Sequence, residues 1–320
     1  MNRAADGSRP AAPTLWAGLA VVGAAVLFGT TGTARELGAP DAGSLSVGTL
    51  RIIVGSAALW VFARSWPQWS VLRRWPMVAV AGGIGVAIYQ PAFFTGTGRS
   101  GVALGTVVAI GSGPVFAGLI EWVRFGQRPS RRWAIATAVT IVGGSLLVFS
   151  SGTGGGGGSG GGGFDVLGIA AALAAGLGYA IYAIAAKVLI DRGVDSTVAL
   201  AWPFTIGAVL LAPIALSQPL GWVLTAPGAV MLVHLGVITV GVAYVLYGWG
   251  LRTIATSTAV TLTLAEPLTA AVAAAVLLGE RLEVLGWIGA AVVLVGLLLT
   301  GWSATPRTRT GHAASGGRAA

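Results

Sequence analysis

The chain has 320 residues, 55% of them hydrophobic and only 9% charged, with a formal net charge of +9 and no cysteine. A soluble domain carries about 25% charged residues; here there is too little charge to cover a globular surface, so lipid must cover much of it. The basic residues lie in short segments between apolar runs rather than in one solvated patch, which argues against nucleic acid as a partner, and the absence of cysteine excludes disulfides, thiolate metal sites and cysteine nucleophiles.

In chain order, residues 1–14 are polar and basic and read as a cytoplasmic N-terminal segment. The run from Trp16 to Ala34 resembles a signal peptide in length, but no convincing cleavage site follows and more apolar runs do, so it reads as a retained helix. A bilayer core takes about 20 apolar residues per helix. Ten such spans are expected, at roughly 15–34, 45–63, 76–95, 102–123, 133–150, 166–187, 197–216, 228–249, 255–278 and 284–302. Charged or proline-bearing breaks separate them, among them Arg35-Glu36, Arg73-Arg74, Arg131-Arg132, Asp191-Arg192 and Glu280-Arg281. The 51 glycines suit close helix packing and the 12 tryptophans suit the membrane boundary.

The second half repeats the first. Arg99, Pro114, Gly126, Arg128 and Gly143 recur 153 positions later as Arg252, Pro267, Gly279, Arg281 and Gly296. Duplication divides the chain into a first repeat at 15–150 (helices 1–5), a Gly-rich linker at 151–164, a second repeat at 165–302 (helices 6–10) and a tail at 303–320, read as disordered and cytoplasmic. The linker lacks the Gly-Lys-Ser/Thr ending of a phosphate-binding loop. The fold class is therefore an all-α integral membrane protein of ten transmembrane helices, arranged as two five-helix repeats.

Lysine and arginine collect in cytoplasmic loops. With the N-terminus inside, the inner segments hold fifteen basic residues, including Arg73, Arg74, Arg124, Arg128, Arg131, Arg132, Lys187, Arg192 and Arg252, against Arg35, Arg99 and Arg281 outside. Both termini are expected inside. Five is odd, so the second repeat enters the bilayer inverted, an arrangement suited to alternating access in secondary transporters.

Glu266 falls at the middle of the ninth span, where a carboxylate costs on the order of 2.5–3.5 kcal/mol unless protonated or paired. Pro267 follows it and removes a backbone donor. Small Ala and Thr residues surround the pair, as at a cavity; a protonated Glu in a packed interface is the plainer alternative. Gly113-Pro114 holds the equivalent place in the first half, so the helix break is duplicated and the acid is not. Arg51, about six residues into the second span, either snorkels outward or faces the cavity and holds an anion. If Arg51 and Glu266 converge, the pair suits a zwitterion such as an amino acid or, equally, forms a resting salt bridge. His234 either relays protons or bonds a neighbouring helix. Tyr89, Trp202, Tyr244, Tyr247 and Trp249 either line a substrate path or anchor helix ends. Glu121 is expected to pair with Arg124 or Arg128, and Lys187 to snorkel.

Gly279-Glu280-Arg281-Leu282, then Gly286, Gly289 and Gly296, with Pro267 and Arg252-Thr253 before them, resemble the end of an EamA domain of the drug/metabolite transporter superfamily. Gly126-Gln127-Arg128, Pro114 and Gly143 form a weaker copy, with Gln127 where the motif usually has Glu, and Phe28-Gly29 through Arg51 resembles the start of such a domain. The resemblance covers about residues 15–302. It implies ten helices with both termini inside, in a bacterial inner-membrane carrier that exports amino acids or similar small metabolites. Proton coupling, drug efflux and sugar-type substrates all occur among relatives.

The expected function is thus a secondary exporter, not an enzyme, with no cofactor or metal, a small-molecule substrate, protons as a candidate coupling ion, and a monomeric or homodimeric state. An intramembrane serine protease would need a Gly-x-Ser-Gly setting with a His base, and Ile110 stands where the first Gly of Ile110-Gly111-Ser112-Gly113 is required. A non-transporting scaffold is the third class. Cysteines placed at Arg128 and Arg281 should label from opposite faces of the membrane; labelling from one face would end the inverted-repeat reading.

Overall fold

In hydrocarbon a peptide group finds no water to bond, so a chain this apolar must span as helices whose backbone bonds are internal. The computed structural model describes residues 11–63, 68–152, 165–279 and 282–303. Most of the N-terminal segment, the glycine run, Glu280-Arg281 and the tail lie outside the described residues, with the expectations attached to them. Among the described residues, ten helices are long and apolar enough to cross a bilayer: α1 Thr14–Gly38, α2 Ser44–Phe62, α3 Pro76–Ser100, α4 Ala103–Phe125, α5 Arg131–Ser150, α6 Val166–Asp191, α7 Ser196–Leu216, α8 Ala226–Leu251, α9 Thr256–Leu277 and α10 Val284–Gly301. There is no strand among the described residues. Some helices outrun their expected ends. α1 continues through Arg35-Glu36 to Gly38, and α3 through Arg99 to Ser100. A charged side chain in a last turn reaches the polar boundary on its own stem, and Arg35 does so by donating to the Ala42 carbonyl at 2.8 Å.

Side-chain contacts fix how the helix ends alternate. α1, α3, α5, α7 and α9 start at what is here termed the N-side. There Arg192, after α6, lies over the Trp75 ring before α3 at 5.6 Å, and Glu121, near the end of α4, meets the start of α9. On the far side Arg99, ending α3, pairs with Asp165 before α6 at 3.0 Å, and Trp222, before α8, donates to Ser46 at the start of α2 at 3.1 Å. Asp165 also accepts the Gly168 N–H, and that bond together with Arg99 holds its carboxyl below the usual carboxylate range. Each contact joins ends that strict alternation puts on one face.

The repeats are related by a pseudo-two-fold axis, so the second is inverted. The interface of α3 with α6 is mirrored by α8 with α1, α4 with α6 by α9 with α1, and α3 with α7 by α8 with α2, while α2–α7 and α5–α10 lie on the axis. Duplicated glycines serve this plan. Gly126 and Gly279 end α4 and α9 in left-handed conformations, φ 67° and 72°, which a residue without Cβ adopts at little cost. Gly143 on α5 abuts Val293 of α10, and its repeat mate Gly296 abuts Thr140 of α5, each 153 positions from its counterpart. A Cβ on Gly143 would lie 2.5 Å from the Val293 nitrogen, and one on Gly296 2.7 Å from the Thr140 nitrogen. Gly143→Leu and Gly296→Leu should therefore each destabilise by ~1–3 kcal/mol, the usual cost of overpacking, read as a lower melting temperature in detergent; an unchanged melt would contradict the close α5–α10 contact.

Candidate functional site

The central interruption of α9 has a direct backbone cause. The helix runs Thr256–Leu262, tightens over Thr263–Ala265 and resumes at Glu266–Leu277. Pro267 has no N–H for the Thr263 carbonyl, and the Glu266 N–H bonds that carbonyl one residue early. Glu266 thus opens the second half-helix at mid-depth. α1 lies directly against it, with Gly29 facing the backbone of Glu266 and Ala270.

The first-half counterpart is corrected by the structure: α4 runs through Pro114 without a break. One missing backbone bond does not interrupt the helix there, as is common for prolines in membrane helices. The tight turn is therefore not duplicated either. α8 carries another irregularity, a wide π-helical segment at His234–Val242 that ends with the Ala243 N–H bonded to Ile238. Such segments gather at functional sites, and Thr239 and Val240 from this one face a central cavity.

That cavity, of about 40 Å³, lies between the halves. Its walls include Arg51, Glu266, Phe28, Thr31, Tyr89, Tyr179, Tyr182, Phe204, Thr239 and Tyr244. Arg51 and Glu266 share it without a hydrogen bond or ion pair between them, and the Arg51 Nε is buried with no partner. A water needs roughly 10–15 Å³ of such space, so a few waters fit and a larger guest enters only when the walls move.

All five tyrosines of the chain gather here. Tyr179 stacks on Tyr182 at 5.1 Å, with Tyr89 edge-on to Tyr179 at 6.1 Å. Tyr244 packs on Phe204 at 4.4 Å, Phe28 at 5.1 Å and Tyr247 at 5.8 Å. The hydroxyls of Tyr182 and Tyr244 meet at 2.6 Å, and that of Tyr179 meets Thr263 at 2.7 Å. Chemically, the site offers one cation, one anion and an aromatic wall to a small molecule.

Of the residues singled out in the sequence, Arg51, Glu266, Tyr89 and Tyr244 come together in the cavity. His234 and Trp202 are not among its walls. His234 Nε2 lies 2.9 Å from the Thr30 hydroxyl, bridging α8 to α1. Trp202 stands edge-on to Trp60 at 5.1 Å and beside Trp69 at 5.2 Å, in an apolar cluster with Val71 and Leu189. Pro267 borders a separate apolar crevice between α4, α5 and α9, and Pro114 is buried in α4. Lys187 pairs with Asp191 at 2.6 Å. Glu121 takes a partner other than those expected: its carboxylate accepts the backbone N–H groups of Thr256 and Ser257 at 2.7 and 3.4 Å. Sequence reading missed Tyr179 and Tyr182; the available signal was the Tyr-x-x-Tyr spacing of 179/182, matched by 244/247, which puts two rings on one helix face.

An inverted duplicate of five helices around a buried, charged cavity defines a membrane-transporter class of architecture. The chain matches the model of the EamA-like transporter family over residues 15–149 and 166–302, and it belongs to that family, within the drug/metabolite transporter superfamily. It is 36% identical over 301 residues to the uncharacterized transporter YwfM of Bacillus subtilis (strain 168), covering 90% of this chain and 94% of that protein. It is 27% identical over 230 residues to a probable terminal-alkyne amino-acid exporter of Streptantibioticus cattleyicolor, covering 71% and 73%. A solved crystal structure superimposes with a TM-score of 0.72 at 20% identity, over 90% of this chain and 98% of that one, a likeness that bears on fold alone.

Tyr182→Phe should cost ~0.5–1.5 kcal/mol, the worth of one neutral hydrogen bond, seen as a small fall in melting temperature with helix content intact. No change in the melt would mean that the Tyr182–Tyr244 bond adds nothing to stability.

Proposed function

We propose that this protein is a secondary exporter of amino acids or similar zwitterionic metabolites, working by alternating access in a bacterial inner membrane with both termini cytoplasmic. One observation carries the reading: a cation, Arg51, and an anion, Glu266, face one cavity between the halves, with no ion pair to either among the described residues. Buried charges are expensive unless partnered. A carboxylate on Arg51 and an ammonium on Glu266 supply both partners at once, each worth about 1.5–3 kcal/mol as a charge-assisted bond. The tyrosine wall receives the apolar remainder. The inverted repeats support the exchange of two conformations, and the relative named as a probable amino-acid exporter supports the substrate class. The arginine distribution supports the N-side as cytoplasmic.

Glu266 also takes the part of proton carrier, since its proton and a substrate ammonium compete for one carboxylate. In proteoliposomes, neutral amino acids should show counterflow and should raise the melting temperature of the purified protein, as any ligand selective for the native state does. Glu266→Gln should abolish flux driven by an imposed pH gradient while the protein stays folded. Arg51→Gln should raise KM about tenfold or more through loss of one charge-assisted bond. Unchanged pH-driven flux in Glu266→Gln would remove it from the mechanism, and failure of every amino acid to counterflow would overturn the substrate class.

A further inference from the structure

The pseudo-two-fold symmetry is broken between α4 and α9. Under a true two-fold axis these helices would touch equally at both ends. Instead α4 packs along the Thr256–Leu262 half of α9 and has little or no contact with the Glu266–Leu277 half. Of residues 256–265, nine of ten are buried; of the equivalent residues 103–112 on α4, only Gly105 and Ala109 are. The same repeat positions are sealed on the N-side and loose on the far side. α4 and α9 form a fork, closed at the N-side, with Glu266 and Gly113 at its crotch.

Polar side chains hold the closed end. Glu121, 7% exposed, accepts the Thr256 N–H at 2.7 Å and the Ser257 N–H at 3.4 Å. These are unpaired donors of a helix start, and the N-cap residue Ala255 has no side chain to cap them. Farther along the same half-helix, Thr137 of α5 bonds Thr261 at 3.0 Å and Tyr179 of α6 bonds Thr263 at 2.7 Å. None of this has a mirror image. The equivalents of Thr256, Thr261 and Thr263 are Ala103, Val108 and Ile110, and that of Glu121 is Ala274. The alternative state, with the fork reversed, would lack the counterparts of these polar contacts at its closed end.

We infer that Glu121 is the latch of the N-side gate and a positioning residue for Glu266. It clamps the start of the half-helix that leads, through the tight turn at Thr263–Ala265, to Glu266 in the cavity wall, and the N-side opens only when the carboxylate lets go of α9. The one-sided latch biases the carrier toward the state closed at the N-side. This inference rests on the alternating-access reading above and adds to it the residue that sets the balance between the two states.

The chain has no cysteine, so single cysteines report without background. Val260→Cys is the gate reporter. Val260 is fully buried on the latched half-helix, beside Gly113 of α4, where an added Cβ would lie 3.4 Å from it. Val293→Cys, equally buried in the α5–α10 interface, is the control for general loosening. Labelling of purified protein by a water-soluble methanethiosulfonate should be slow at both sites. Glu121→Ala should speed Val260→Cys by about tenfold or more, as loss of a charge-assisted bond implies, and leave Val293→Cys protected. Glu121→Gln, which keeps an acceptor oxygen but not the charge, should fall between; it carries the same test should the alanine variant fail to fold. Unchanged labelling at Val260→Cys, or equal acceleration at both reporters, would overturn the latch. No substrate is needed, so failure here leaves the zwitterion reading standing, and failure of counterflow leaves the gate measurement valid.

Discussion

Everything in this molecule answers to one constraint: the hydrocarbon core supplies no hydrogen bonds. Backbone groups must satisfy one another, which dictates helices. Apolar burial gives helices little reason to associate in lipid, so they associate through shape. Hence the glycines at backbone contacts such as Gly143 and Gly296. Hence also the cost of any charge left at mid-depth. Against that background Arg51 and Glu266 are the basic and the acidic side chain in the cavity wall, retained there although neither completes an ion pair with the other. Under the proposed zwitterion reading, the charges of the substrate pair with them for part of the working cycle.

Duplication supplies the frame within which that expense is useful. The axis contacts α2–α7 and α5–α10 are self-mirrored, so under the alternating-access proposal they would persist when the repeats exchange conformations. The break in symmetry sits where an exchange would occur. Of the α4/α9 pair, α9 has the tight turn at Thr263–Ala265, an acid where α4 has Gly113, and a carboxylate from its twin at its start. The α4 copy keeps the proline but runs straight through it. One repeat has become the jointed arm and its twin the straight one.

The fold was legible because the bilayer reads composition and length, which the sequence carries openly. Ten apolar runs, an alternating arginine bias and a 153-residue echo suffice for ten helices in two inverted sets. Glu266 was legible for a similar reason: a carboxylate beside a proline in an apolar run has few bland explanations. Other features depend on rotation about the helix axis, which neither length nor hydropathy reports. Trp202 and Tyr244 both sit in apolar spans, yet one turns to a tryptophan cluster and the other to the cavity. Tyr179 and Tyr182 were hidden by the same ambiguity. Glu121 was misjudged because sequence neighbours suggest local arginines, whereas its partner lies 135 residues away on another helix. That partner is a backbone group, and backbone donors leave no mark in a sequence.

The tyrosine wall gives the charged pair its reach. A rigid cage around Arg51 and Glu266 would select by size alone, and the cavity in this state is too small for more than a few waters. Aromatic rings instead move by rotation about two side-chain bonds, presenting a flat face, an edge or a hydroxyl. Tyr182 and Tyr244 already bond each other at 2.6 Å, so opening the wall costs a hydrogen bond that a polar guest can replace and an apolar one cannot. Tyr179 ties this wall to Thr263, in the tight turn immediately before Glu266. Under the latch inference, a guest that displaced the rings would pull on the joint of α9, and through the half-helix on its start at Glu121. The Tyr179 contact and the Glu121 contact are joined by the continuous helical stretch 256–265, with no intervening loop.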